Sequence, residues 1–259
     1  MTFEGSTLPA RTRTAGAGEG TGTTRRGLLG WATALGGGAL LTACGTDDAP
    51  VVPGAAQQRP EEITDPDEAL ELLRQGNARF AAARAQHPDS TPARRRQVAR
   101  GQHPFAIVLS CADSRVPPEL VFDQGLGDLF VVRTAGQVLA PPVLGSIQYG
   151  VEHLHAPLLV VLGHERCGAV SATLEAVEKG SGPSGTAIDS LVDAIRPAAE
   201  RALAGTDEAH RLAEAVRLNV GDGVAALAAD PLLAGAVEAG HLRITGATYG
   251  LDDGAVAFL

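Results

Sequence analysis

From about residue 65 onward, short apolar runs alternate with longer segments of helical periodicity. Each apolar run has the length and composition of a β-strand buried on both faces, and the runs lie at 105–109, 129–132 and 158–162. Helical patterns surround them at 65–84, 94–100, 142–154, 167–178, 187–203, 207–228 and 231–239. This alternation predicts an α/β fold whose mainly parallel sheet is flanked by helices.

Local signals define both ends of this domain. Asp65 followed by Pro66 marks the start of the first helix, because Asp caps free backbone N–H groups and Pro fits the first helical position. At the other end, apolar segments at 242–247 and 255–258 flank the turn signal Asp252-Asp253-Gly254. These two segments, joined by a turn, predict a C-terminal antiparallel edge strand.

Residues 1–43 have the composition of an export signal rather than of a folded domain. Residues 1–24 contain almost no large apolar side chain, and the paired Arg25 and Arg26 then precede an uncharged run at 27–43. That run is short for a membrane span, which needs about 20 apolar residues. The paired arginines resemble a twin-arginine (Tat) signal, which implies passage of an already folded protein through the Tat translocase.

The uncharged run ends in Leu41-Thr42-Ala43-Cys44-Gly45, which resembles the lipobox of bacterial lipoproteins. The resemblance implies cleavage before Cys44, lipidation of that cysteine and a location on the outer face of the cytoplasmic membrane. The alternative is a buried core helix with an isolated cysteine. The Pro-containing residues 44–64 are predicted to form a flexible tether, and the folded domain to comprise residues 65–259.

Composition narrows the functional classes. The formal net charge of −9 argues against a non-specific nucleic-acid binder, which needs a basic surface. The basic stretch 94–100 is predicted to be a solvated helix face. With three cysteines in 259 residues, the chain is no disulfide-rich scaffold.

Chemically reactive residues follow two of the predicted parallel strands. Ser110-Cys111-Ala112-Asp113-Ser114-Arg115 comes after the first strand, and Gly163-His164-Glu165-Arg166-Cys167-Gly168 comes after the third. Sites in open parallel sheets form outside the carboxyl ends of strands. Two thiolates and one imidazole suit Zn²⁺, and three protein ligands leave a fourth position for water, as in catalytic sites. The alternatives are cysteines that only fill the core and a redox pair, although the chain has no Cys-x-x-Cys motif.

These residues resemble the β-class carbonic anhydrases. The motif Cys111-x-Asp113-Ser114-Arg115 combines with His164-x-x-Cys167, and further family blocks match at Leu72–Phe80, Gly101–Pro104, Arg115–Glu119, Gly127–Arg133 and Ile244–Tyr249. The resemblance covers residues 65–259. It implies a β-carbonic anhydrase-like fold, a homodimer or dimer-based higher oligomer, one Zn²⁺ per subunit, and reversible hydration of CO₂ to bicarbonate and a proton by zinc-bound hydroxide.

The resemblance also implies a role for each site residue. Cys111, His164 and Cys167 would bind zinc. Asp113 would either pair with Arg115 and accept a hydrogen bond from the hydroxide, or ligate zinc in a closed form. The implied substrate-binding residues are Gln102 as a hydrogen-bond donor, Phe130 and Tyr149 from the neighbouring subunit, and Gly168, which would let substrate approach the metal or simply open a helix.

Two other functions stay open on the sequence. A hydrolase of carbon disulfide or carbonyl sulfide uses the same ligands on the same fold. A non-catalytic zinc- or bicarbonate-binding module belongs to a different class, and the Asp113–Arg115 pair argues against it because pure binding needs no such gate.

Overall fold

The computed structural model describes residues 62–259. The predictions for Arg25, Arg26 and Cys44, and for the signal and most of the tether, lie outside the described residues. The described helices are α1 (Pro66–Ala81), α2 (Pro92–Val98), α3 (Pro118–Val121), α4 (Pro141–Glu152), α5 (Gly168–Glu178), α6 (Asp189–Gly205), α7 (Arg211–Ala228) and α8 (Pro231–Glu238). The strands are β1 (Ala106–Cys111), β2 (Leu129–Thr134), β3 (Leu158–His164), β4 (Arg243–Tyr249) and β5 (Val256–Phe258).

The five strands form one sheet in the order β2-β1-β3-β4-β5. β2, β1, β3 and β4 pair in parallel, whereas β5 pairs with β4 in antiparallel register, with Thr248 opposite Ala257. The structure therefore confirms the predicted mainly parallel α/β sheet and its C-terminal antiparallel edge strand.

β1 and β3 are two residues longer at their carboxyl ends than the apolar pattern predicts. The additional residues are polar or lack a side chain, but they continue the backbone ladder: Cys111 lies opposite Thr134, and His164 lies opposite Tyr249. Ladder hydrogen bonds do not require apolar side chains, so a hydropathy pattern misses them. As a result, Cys111 and His164 are held within the sheet rather than on loops.

α1 begins as predicted, since the Asp65 side chain accepts a hydrogen bond of 2.8 Å from the Asp67 N–H. It ends at Ala81 rather than near Arg84, because Ala83 adopts a φ of +53° that stops helical hydrogen bonding. The structure also contains a short 3₁₀ turn at Ala135–Gln137, which the sequence pattern does not predict.

The sheet is covered on both faces, and all six residues of β1 are buried. Leu73 of α1 and Phe122 pack on one face. Ile147 of α4, Leu227 of α7 and Leu233 of α8 pack on the other. Burying each such side chain contributes about 1.5–3 kcal/mol to the stability of the fold. The core therefore holds in place the carboxyl end of the sheet, where the reactive residues lie.

Within residues 62–259, no single helix has both the length and the apolar character needed to cross a membrane. α7 and α8 meet those criteria only when taken together, and they bend by 82° where they join.

Candidate metal centre

Three buried ligand atoms meet at the carboxyl end of the sheet. Cys111 ends β1, His164 ends β3 and Cys167 caps the N-terminus of α5. One ligand atom from each residue lies within 4.8 Å of the other two, and the sulfur atoms are 4.0 Å apart. A tetrahedral site with Zn–S bonds of about 2.3 Å would place two sulfurs about 3.8 Å apart. The donor set and its spacing therefore fit zinc.

The orientation of His164 supports this fit. Its Nδ1 lies 2.8 Å from the carbonyl oxygen of Glu165, which can only accept a hydrogen bond, so Nδ1 carries the proton. The Nε2 atom is buried and has no hydrogen-bond partner among the described residues. A neutral imidazole held in this way presents the Nε2 lone pair to the two sulfurs, as a metal-ligating histidine does.

The two thiols differ in their electrostatics. The S–H of Cys167, opposed by burial and assisted by the Gly136 N–H at 3.3 Å, holds the pKa of Cys111 well below its ordinary value. The adjacent Cys111 thiolate, together with burial, raises the pKa of Cys167. A second thiolate is thus disfavoured until a cation lies between the sulfurs, which is the condition that a divalent metal would meet.

Asp113 lies beside this cluster and is bound to Arg115. The guanidinium donates to both carboxylate oxygens at 2.9 and 2.8 Å, and the Arg115 N–H donates to Oδ1 at 2.9 Å. These hydrogen bonds, of which the side-chain pair with Arg115 has the largest effect, hold the pKa of Asp113 well below its ordinary range. Its Oδ2 is 3.8 Å from His164 Nε2. The structure therefore shows the Arg-paired arrangement of Asp113.

Arg133 and Asn219, which the sequence pattern does not single out, hold the end of β1 and the residues around it. Arg133 donates to the carbonyl oxygens of Cys111 at 3.0 Å and of Asp113 at 2.6 Å. The Asn219 side chain donates to the carbonyl oxygen of Gly136 at 3.0 Å, and Gly136 contacts the Cys111 sulfur. The charge of Arg133 directly after the apolar run 129–132 could have indicated a role at the site. Nothing in the sequence around Asn219 indicates its contact with Gly136.

A second set of contacts, which the sequence pattern does not predict, forms a strap across the segment that runs from His164 at the end of β3 to Cys167. The Glu165 N–H donates to the Tyr249 carbonyl oxygen at 3.0 Å, and the Glu165 carboxylate accepts from the Leu251 N–H at 3.2 Å. The guanidinium of Arg166 donates to both carboxylate oxygens of Asp252. The turn between β4 and β5, predicted only as a connection, thus supports the segment between His164 and Cys167.

Gln102 is not brought to the metal ligands of its own chain. It is exposed in the loop before β1, whereas Cys111 is the last residue of that strand. A six-residue strand spans roughly 20 Å, which exceeds the reach of a glutamine side chain.

Phe130 and Tyr149 lie together, with ring centroids 6.3 Å apart, but they too are distant from the cluster. Phe130 is opposite Ile107, four residues before Cys111, which corresponds to about 13 Å along the strand. Tyr149 is 47% exposed. By contrast, Gly168 directly follows Cys167, and a Cβ atom there would meet nothing within 4 Å.

The chain is similar to known carbonic anhydrases in sequence. Residues 106–256 match the family described as carbonic anhydrase. A carbonic anhydrase of Mycobacterium tuberculosis, named carbonic anhydrase 2, is 46% identical over 192 residues, which cover 74% of this chain and 91% of that protein. A carbonic anhydrase of Mycolicibacterium smegmatis is 44% identical over 194 residues, with coverage of 74% and 93%.

Solved structures show the same likeness. One structure from a study of two tetrameric β-carbonic anhydrases of Sordaria macrospora has a TM-score of 0.59 and 26% identity, covering 74% of this chain and 97% of that one. A Coccomyxa β-carbonic anhydrase in complex with acetazolamide has a TM-score of 0.57 and 27% identity, covering 76% and 87%.

Proposed function

The chain belongs to the β-class carbonic anhydrases, and we propose that its Cys111, His164 and Cys167 hold one zinc ion in each subunit. The chain is an enzyme that interconverts carbon dioxide and bicarbonate. The observation that carries the zinc assignment is the convergence of two buried sulfurs and one unpartnered imidazole nitrogen within 4.8 Å. When bound there, zinc supplies the Lewis acidity that lowers the pKa of water and makes a hydroxide nucleophile available near neutral pH.

The proposed task of Asp113 is to orient that nucleophile. Its carboxylate is 3.8 Å from His164 Nε2, and the pairing with Arg115 keeps it ionised and therefore able only to accept a hydrogen bond. Arg115 holds the carboxylate in a fixed plane through two parallel N–H···O bonds. Asp113 would thereby accept a hydrogen bond from the nucleophile's O–H group and fix its orientation toward carbon dioxide.

The proposed substrate pocket needs a second subunit. Gln102, Phe130 and Tyr149 lie far from the metal ligands of their own chain, so they can contribute to the reaction only in the site of a partner. β2 supports this arrangement, because it is the edge of the sheet and all six of its residues are only partly buried. The Sordaria macrospora relatives are tetrameric, as a dimer-based higher oligomer would be. We therefore propose at least a dimer.

The proposed location is the outer face of the cytoplasmic membrane of a bacterium. Arg25 and Arg26 would direct the folded chain to the Tat translocase, and Cys44 would carry the lipid anchor. Replacing both arginines with lysine should stop export. Unchanged export would contradict the Tat assignment, and mass spectrometry of the processed N-terminus would test lipidation separately.

The decisive experiment is stopped-flow CO₂ hydration on the purified chain, with zinc quantified on the same sample. We expect activity in proportion to zinc, up to one ion per subunit. Full zinc without hydration of CO₂ would overturn the proposed mechanism, and parallel assays with carbon disulfide and carbonyl sulfide would identify hydrolysis of those compounds instead.

A further inference from the structure

α2 and the two residues after it, Ala99 and Arg100, form a basic surface, although the chain as a whole is acidic. Arg95, Arg96 and Arg100 are exposed, and we call them the α2 basic surface. No aspartate or glutamate occurs between residues 90 and 112, although the chain as a whole has a net charge of −9. Arg96 and Arg100 are four residues apart, so they lie on the same side of this helical segment.

These three guanidinium groups differ from their neighbour Arg94. Arg94 faces inward, where it donates to the Leu126 carbonyl oxygen at 2.9 Å and pairs with Asp128 at 3.2 Å. Within residues 62–259, Arg95, Arg96 and Arg100 form no side-chain hydrogen bond or ion pair. Most other cationic side chains of these residues are paired with carboxylates, namely Arg79, Arg115, Arg166, Lys179, Arg196, Arg201, Arg211, Arg217 and Arg243.

The described chain begins beside this surface. Glu62 lines a cavity of about 490 Å³ together with Arg94, Arg100 and His103. Cys44 precedes Glu62 by 18 positions, and 18 residues span at most about 60 Å even when fully extended. A lipid attached at Cys44 therefore keeps the α2 basic surface within that distance of the bilayer.

We propose that the α2 basic surface docks on the anionic phospholipid headgroups of the membrane. Guanidinium groups bind phosphate through paired N–H donors, and basic residues near an anionic bilayer each strengthen attachment. The acidic remainder of the protein is repelled by the same headgroups, so attraction at this one surface would orient the enzyme. The proposal relies on the proposed anchor only to bring the surface to the membrane.

Vesicle co-sedimentation tests the docking without the anchor. The processed chain, residues 44–259, would carry Cys44→Ala, which prevents acylation, and would be mixed with vesicles of phosphatidylcholine alone or of phosphatidylcholine with one third phosphatidylglycerol. The test variant is Arg95→Gln, Arg96→Gln and Arg100→Gln. The matched control is Arg196→Gln, Arg217→Gln and Arg243→Gln, which removes the same charge from paired sites elsewhere.

We expect the parent chain to prefer anionic vesicles and to lose that preference as salt rises. The α2 variant should bind anionic vesicles on the order of 100-fold more weakly, since each arginine near the surface contributes roughly fivefold. The control should keep most of the binding. Zinc content and CO₂ hydration should be equal in all three proteins, which shows that the variants are folded.

Three results would overturn the proposal: equal binding of the parent to neutral and anionic vesicles, equal loss in the test and control variants, or a changed sedimentation coefficient of the α2 variant. The last would place these arginines in a subunit interface, a necessary control because Gln102 lies two positions after Arg100. None of these results depends on lipidation of Cys44, which is measured separately by mass spectrometry of the processed N-terminus.

Discussion

Arg166 and Asp252 join two segments that are 86 residues apart in the chain. Their side chains form two parallel N–H···O bonds of 2.8 and 2.7 Å. An exposed ion pair of this kind contributes little stability by itself. Here it closes a strap that also includes the backbone of Glu165, whose carbonyl oxygen orients the imidazole of His164. We therefore expect the pair to act on the position of His164, a proposed zinc ligand, more than on the stability of the fold.

Asp252→Asn should loosen this strap and accelerate zinc loss. We expect zinc to leave up to about tenfold faster, because removal of groups that orient metal ligands weakens metal sites by comparable or larger factors. Zinc release to a chelator, followed by an optical zinc indicator, measures the rate. Asp193→Asn is the matched control, since it breaks an exposed pair with Arg196 on α6. Equal release from both variants would show that the strap does not position His164.

Cys111→Ser should yield protein with far less than one zinc per subunit. A serine hydroxyl stays protonated near neutral pH and is a much poorer zinc ligand than a thiolate. Metal analysis of the dialysed protein, with circular dichroism as a check on folding, provides the measurement. A fully loaded Cys111→Ser protein would rule out the proposed ligand set.

Asp113→Asn should keep zinc but lose CO₂ hydration by about 100-fold or more. An asparagine side chain keeps the size of the aspartate but is neutral, and its amide nitrogen donates where a carboxylate oxygen accepts. Stopped-flow hydration, normalised to bound zinc, separates this effect from metal loss. Activity close to that of the parent would refute the orienting role of Asp113.

Asp123 should make the stability of the protein sensitive to acid. Its buried carboxylate accepts hydrogen bonds from the backbone of Gln86 and His87 and from Arg79. Burial alone would raise the pKa of Asp123, but these hydrogen bonds outweigh it and lower the pKa. A folded-state pKa below the unfolded value of about 3.9 stabilises the protein above that pH, and this stabilisation is lost as the pH falls below it.

Asp123→Asn should therefore cost about 2 kcal/mol of unfolding free energy at neutral pH. The difference between parent and variant should shrink near pH 3, where the parent carboxylate is mostly protonated in the unfolded state. Urea unfolding at both pH values measures the two differences. A difference that does not change with pH would show that the stabilisation does not depend on the ionised form of the Asp123 carboxylate.

Phe130→Asp should separate the subunits while sparing the metal ligands. An aspartate at the second position of edge strand β2 would place a charge in the proposed interface. We expect a monomer by analytical ultracentrifugation, with zinc retained and hydration strongly reduced because the partner's side chains are lost. A dimer of normal activity would contradict the shared pocket.

The clustering of Cys111, His164 and Cys167 was predictable, because Cys111 and His164 come just after two short apolar runs and Cys167 follows His164 by three positions. The carboxyl ends of neighbouring parallel strands lie together in the sheet. The same pattern predicted the order of helices and strands. The four-residue helix α3 and the 3₁₀ turn at Ala135–Gln137 are too short to show periodicity.

The supporting contacts were not predictable for a different reason. Asn219 reaches Gly136 across 83 positions, and Arg166 reaches Asp252 across 86. A hydropathy pattern reports which face of an element is buried, but it does not report which side chains from remote segments meet there. Those pairings follow from the packing of α7 and of the C-terminal turn against the sheet.

Cys111 and Cys167 are 56 residues apart in the chain, and their sulfurs meet where β1 and β3 lie side by side. The proposed site therefore forms only after these two strands have paired, so metal uptake would follow that step of folding. Affinity for divalent ions follows a general chemical order, so the ion captured depends on what is available at that moment. Under the proposed Tat export of the folded chain, the metal ions available in the compartment of synthesis, rather than those outside the membrane, would decide which ion the enzyme carries.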